Sequence, residues 1–231
     1  MSIDQKIVQI LHKVNALAAM RENRFSDLPD VRVLAVTKNQ STMAIRTALA
    51  AGITAVAENR VQEAVQKYAD IGEMAEWHFI GHLQTNKARL IVPFCHLIHS
   101  LDSKSLAIEI AKTAAKLNKR QDVLMQINVS GEDTKFGVPP NQAVEMAGFL
   151  SSLENIRLCG CMTIAPLCDD IEKTRPVFRE LFHLFQEIKS LNFPNTSLEW
   201  VSMGMTNDYP VAIEEGANLI RIGTGIFGKR G

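Results

Sequence analysis

The stretch 31-VRVLAVTK-38 reads as a β-strand buried on both faces that ends in a single lysine. Alternation places Arg32, Leu34, Val36 and Lys38 on one side and Val31, Val33, Ala35 and Thr37 on the other. Both sides are largely apolar, the pattern of a parallel strand with helices over one face and a core against the other. A lysine leaving such a strand can sit half-desolvated, which favours the neutral amine that attacks an aldehyde. The plainer alternative is that Lys38 only marks where the strand meets water.

The rest of the chain repeats this unit. A first helix is expected from a Ser2–Gln5 capping box to about Arg24, with Ile3, Ile7, Ile10, Leu11, Val14 and Leu17 at helical spacing. After 31–37, strands are expected over 54–57, 77–80, 96–99, 123–129, 157–163, 198–203 and 219–222, with helical segments between them. The helix over 171–191 carries the broadest apolar face, from Val177 to Ile188. An internal echo supports the alternation: ALAAGITAV (48–56) and AIEEGANLI (212–220) both read helix, glycine, strand. Eight such alternations predict a single (β/α)8 TIM barrel over residues 1–231, with the extra N-terminal helix covering the gap after the eighth strand. A doubly wound open sheet is the alternative, and no G-x-G-x-x-G follows the first strand to support it.

Lysine plus arginine and aspartate plus glutamate both number 25, so nothing favours a nucleic-acid groove or an anionic membrane as partner. The N-terminus is amphipathic and no apolar run approaches a membrane span. The four cysteines show no secreted-domain framework, and a cytoplasmic monomer is expected. Cys159 and Cys161 are expected on one strand face, as buried apolar thiols rather than metal ligands.

In a barrel, functional residues gather at the C-terminal strand ends, and phosphate commonly binds after strands seven and eight. Ser202-Met203-Gly204 and Gly223-Thr224-Gly225 stand at those two exits, where small residues and hydroxyls suit an anion. Arg221 shares a face with Leu219, and a buried guanidinium needs either a salt-bridge partner or a ligand. Asn59 is either a helix cap, with Gln62, or a residue facing the mouth. Met162 is either core or a surface for a flat ring. His82 reads as a loop histidine at the third exit, and no role is assigned to His78, His96 or His99. A lysine, a phosphate cup and an arginine for a ring nitrogen are together what pyridoxal 5′-phosphate requires.

On LAVTK (34–38), ENRVQE (58–63), HFIGHLQTNK (78–87), NVSGEDTKFGV (128–138), SMGMTND (202–208) and RIGTGIFG (221–228), the sequence resembles the pyridoxal-phosphate homeostasis protein family, related to the barrel domain of alanine racemase. That resemblance implies Lys38 as the residue forming the Schiff base, and Ser202, Gly223 and Thr224 as phosphate ligands. It implies Arg221 at the ring nitrogen, Asn59 and Met162 beside the cofactor, and Lys135 near the mouth. Ala57 stands where the family usually has glycine, a change expected to tighten the strand end slightly.

Arginine is a poor proton source for pyridine, so the cofactor would be a weak electron sink. Alanine racemase compensates with a tyrosine from a second domain, for which a chain ending at Gly231 is expected to leave no room. The expectation is therefore a protein that binds and delivers pyridoxal phosphate without turnover, with pyridoxal-phosphate-dependent apo-enzymes as recipients. The alternatives are a racemase or lyase using the same cofactor, and a phosphosugar enzyme with a barrel lysine.

Overall fold

The structure, a computed structural model, describes residues 1–21, 25–132 and 134–228. Eight parallel strands, β1 (Arg32–Val36), β2 (Ala55–Glu58), β3 (Glu76–Phe79), β4 (Leu97–Leu101), β5 (Gln121–Gln126), β6 (Ile156–Met162), β7 (Thr196–Met205) and β8 (Leu219–Ile222), pair in chain order. β8 closes on β1, with Leu34 registered both to Ala55 of β2 and to Arg221 of β8. The helices α1 (Ile3–Ala19), α2 (Thr42–Ala50), α3 (Val61–Ile71), α4 (Ala88–Ile91), α5 (Lys104–Lys116), α6 (Ala143–Ser151), α7 (Arg175–Ser190), α8 (Tyr209–Glu214) and α9 (Thr224–Phe227) follow or precede the strands. The expected barrel is therefore the observed fold.

Alternation in each strand divides the apolar residues into two layers. Leu34, Val36, Ala55, Ala57, Leu97, Leu124, Cys159, Met162 and Leu219 fill the lumen. Val33, Ala35, Ile98, Val123, Ile220 and Ile222 face outward to the helices. The Ala57 methyl is one of the lumen groups and is fully buried, so it fills core space. In α7, Phe178, Leu181, Phe182, Phe185 and Ile188 form the buried stripe.

Two departures from the sequence pattern have local causes. Cys159 lies in the lumen but Cys161 lies in the outer layer, not on one face as expected. The register shifts at Gly160 against both neighbouring strands, and an odd residue in a ladder reverses the parity of the residues after it. The first helix stops at Ala19 with Met20 as C-cap, and its expected end near Arg24 lies outside the described residues. The expected helix at Lys87 and Arg89 is a 3-10 turn, Thr85–Lys87, running into the short α4.

The internal echo is structural. Gly52 and Gly216 have φ of 100° and 101°. In both turns the residue after glycine donates back to the helix, Ile53 N to Ala48 O at 3.1 Å and Ala217 N to Ala212 O at 2.8 Å. Both are Schellman closures, and an L-residue would be strained at that φ. α1 packs against α2, α8 and α9, filling the space left because α9 is a single turn. Among the described residues, no helix is long and apolar enough to cross a membrane.

Candidate functional site

A cavity of about 630 Å³ opens at the C-terminal ends of the strands. Lys38, Asn59, Lys135, Arg221, Gly223 and Thr224 all line it. Lys38 follows β1 with the parity of Leu34 and Val36, so the chain delivers it to the lumen side. It is exposed rather than half-desolvated: the strand ends at Val36 and the lysine stands beyond the last covered layer.

Asn59 is not the helix cap. Arg60 occupies the N-cap of α3 and makes no side-chain capping bond, while Asn59 Oδ1 is buried with no hydrogen-bond partner among the described residues. An unpaired buried carbonyl oxygen is costly, and a ligand donor at this cavity would satisfy it. Gly81 permits the crowding here, since a Cβ on it would lie 2.1 Å from the Asn59 carbonyl oxygen.

Arg221 is 3% exposed and projects upward from the lumen to the cavity floor. Its Nη1 donates to Ser202 Oγ at 2.6 Å and its Nη2 to the Thr163 carbonyl at 2.9 Å. A guanidinium has five N–H donors, so donors remain for a ligand acceptor. Burial pushes the group down to about 10, with the charge of Asp208 opposing the shift.

Beneath Arg221, a polar chain that the sequence pattern did not reveal runs through the lumen. Ser202 Oγ lies 2.9 Å from His99 Nδ1, His99 Nε2 lies 2.8 Å from His78 Nδ1, and His78 Nε2 lies 2.9 Å from Glu76 Oε1. Arg32 pairs with Glu76 at the far end, at 2.7 Å. Arg221 can only donate and the Glu76 carboxylate can only accept, so the proton order is imposed. Ser202 donates to His99, His99 Nε2–H to His78, and His78 Nε2–H to Glu76, with both imidazoles neutral. Burial lowers both histidines, His99 well below the usual range, and the bond from His78 holds the Glu76 carboxyl far down. A pair of inward-parity histidines on adjacent strands was the available signal.

Ser202 and Met162 are thus placed one layer under the cavity, both fully buried, and neither lines it. Ser202 has committed its proton within the lumen. Gly204 packs on α8, where a Cβ would sit 2.6 Å from that of Ala212. After β7 and β8 the hydroxyls lining the cavity are those of Thr206 and Thr224, and Thr206 Oγ1 accepts from Gly225 N at 3.2 Å. Thr206 lies within the SMGMTND segment, but nothing in its spacing marked it as a rim residue. Lys135 Nζ bonds to Glu132 at 2.6 Å and to the Ile164 carbonyl at 3.4 Å. His82 lies flat on Phe136 at the mouth, 3.8 Å between ring centres. Ile164, Ala165 and Phe136 add an apolar wall.

A second recess, about 710 Å³, lies at the opposite strand ends and is bordered by Arg32, Glu76, His96, Asp122 and Arg157. Of its charges, Arg32 pairs with Glu76 and Arg157 with Asp122, while Lys119 donates to the Val92 and Cys95 carbonyls. Among the described residues, no cluster of histidine, cysteine or carboxylate groups could hold a metal.

Residues 10–231 match the family model described as the alanine racemase N-terminal domain. A pyridoxal phosphate homeostasis protein of Aquifex aeolicus is 44% identical over 200 residues, covering 86% of this chain and 87% of its own. One from Haemophilus influenzae is 37% identical over 233 residues, covering 100% and 97%. The chain belongs to the pyridoxal phosphate homeostasis protein family. Among solved members, PipY of Synechococcus elongatus with PLP bound has a TM-score of 0.83 at 33% identity, covering 98% of this chain and 100% of that one. Alanine racemase of Corynebacterium glutamicum, at 14% identity and a TM-score of 0.70, shares the fold over 64% of its length. The segments LAVTK, ENRVQE and RIGTGIFG, read as marks of this family, are the ones that place Lys38, Asn59, Arg221, Gly223 and Thr224 around the cavity.

Proposed function

We propose that this protein binds pyridoxal 5′-phosphate at the C-terminal mouth of its barrel and serves its homeostasis without turning over a substrate. The observation that carries this is the buried Arg221 guanidinium opening on the same cavity as Lys38 and the unpaired Asn59 oxygen. A flat, polar-edged, phosphorylated aldehyde answers each of those groups. When bound, the cofactor supplies an aldehyde: the lysine nitrogen bonds its carbon and the aldehyde oxygen leaves as water.

Lys38 provides the amine. Arg221 directs a donor to the ring nitrogen and stays protonated at neutral pH, since even about 10 lies well above it. Asn59 accepts from a ring substituent, and Gly223, Thr224 and Thr206 offer amide and hydroxyl donors to the phosphate. Ser202 and Met162 support the floor, Ser202 by holding Arg221. A cationic donor that keeps its proton leaves the ring a weak electron sink, which supports binding over turnover. Tyr209 sits at the start of α8 under Lys13, and Tyr68 stacks on Phe94, so neither tyrosine lines the mouth. One chain supplies every group named, in keeping with a single-domain monomer. Its even charge and free thiols suit the cytoplasm, with pyridoxal-phosphate-dependent apo-enzymes as recipients.

Titrating the apoprotein with pyridoxal 5′-phosphate tests this. Once unbound ligand is removed, the wild type is expected to be yellow and Lys38→Ala colourless. A wild type that cannot be coloured would overturn the proposal.

A further inference from the structure

Behind the strand ends, on the face away from the cavity, lies an ion cluster built from side chains that do not line it. Lys67, on α3, is 7% exposed. Its Nζ donates to the Thr37 carbonyl at 2.7 Å, to Glu58 Oε1 at 2.7 Å and to Glu63 Oε2 at 3.1 Å. The same Glu63 oxygen accepts from Asn39 N at 2.8 Å, and Thr37 Oγ1 also donates to Glu58. Asn39 has a φ of 58°, a left-handed conformation that asparagine adopts more readily than other non-glycine residues.

These bonds bracket Lys38. The carbonyl before it is tied to Lys67 and the amide after it to Glu63. Glu58 also directly precedes Asn59, so one buried ammonium joins the two strand ends that carry the amine and the unpaired amide. We infer that Lys67, Glu58 and Glu63 are positioning residues for Lys38, clamping its backbone so that the amine meets the aldehyde of a seated cofactor. This rests on the proposed binding of pyridoxal phosphate.

Stability alone gives little reason for the cluster. A buried ion pair recovers its desolvation cost only with good geometry, and an apolar replacement of equal volume is commonly as stable. Burial raises the Glu58 carboxyl, so it can turn neutral when Lys67 is removed. For Glu63, burial is outweighed by the bonds from Asn39 and Lys67, which keep it ionised. What an apolar substitute cannot do is hold the Thr37 carbonyl. The clamp also accounts for both glutamates of the ENRVQE segment, since Glu58 and Glu63 act at this one point.

The test uses two ligands that share ring and phosphate: pyridoxal 5′-phosphate, which has the aldehyde, and pyridoxine 5′-phosphate, which has a hydroxymethyl group. Lys67→Met and Glu63→Ala are expected to weaken pyridoxal phosphate binding about tenfold, the scale of one lost hydrogen bond. Pyridoxine phosphate affinity should stay at the wild-type value, and Glu63→Gln, whose amide oxygen still accepts from Asn39, should restore tight binding. Should Lys67→Met fail to fold, Glu63→Ala carries the test, because Glu63 is partly exposed on the first turn of α3. Equal affinity for pyridoxal phosphate in wild type and variants, or parallel loss of both ligands, would overturn the clamp. A wild type that binds neither ligand would instead sink the proposed function.

Discussion

His99→Gln isolates one link of the lumen chain. Gln Oε1 can accept from Ser202 and its Nε2 can donate to His78, so the proton order survives while the titratable ring is lost. The wild-type imidazole is fully buried, with its affinity for protons lowered by desolvation and by the neighbouring His78 and Arg221. Its native pKa lies below that of the unfolded chain, so unfolding takes up a proton in acid. Stability from this site is therefore complete above about pH 6.5 and falls as pH drops below it. A native ring that takes up no proton down to pH 5 sets the upper limit of this loss between pH 7 and 5, about 2 kcal/mol. Urea unfolding followed by the fluorescence of Trp77, which is 1% exposed, reads it directly. The wild type should lose up to about 2 kcal/mol more than His99→Gln over that interval, His78 and the carboxylates being common to both. Equal losses would show that the ring at position 99 binds a proton as readily in the native barrel as in the unfolded chain, and the neutral, desolvated imidazole of this account would be wrong.

Two other outcomes rest on the same geometry. Arg221→Glu replaces a donor-only group with a carboxylate that favours a protonated ring nitrogen and accepts a hydrogen bond from it, so the absorption spectrum of bound pyridoxal phosphate should change shape; an unchanged spectrum with cofactor still bound would place Arg221 away from the ring. Loaded protein incubated with L-amino acids in heavy water should show little α-proton exchange by NMR, and rapid exchange or formation of the enantiomer would establish turnover.

Much of this architecture is legible from residue order because a (β/α)8 barrel repeats a local pattern. The 219–222 strand, the turns at Gly52 and Gly216 and the lumen parity of Leu34, Val36 and Arg221 all depend on neighbours within a few residues. What escaped depends on register between distant strands. The parity reversal at Gly160 comes from its pairing with β7. The line from Glu76 to Arg221 needs four strands closed into a ring before its members touch. The clamp on Thr37 joins residues thirty apart through a backbone carbonyl, which no side-chain pattern announces. Ser202 was expected at the exit of the seventh strand, but β7 runs on to Met205, and the hydroxyl is held in the lumen by Arg221 and His99.

The central claim is attachment at one amine, and borohydride reduction of protein loaded with pyridoxal 5′-phosphate, followed by peptide mapping, tests it most directly. The account predicts a single reduced adduct on Lys38. Recovery of the adduct on Lys135 or another lysine, or of none from saturated protein, would contradict it.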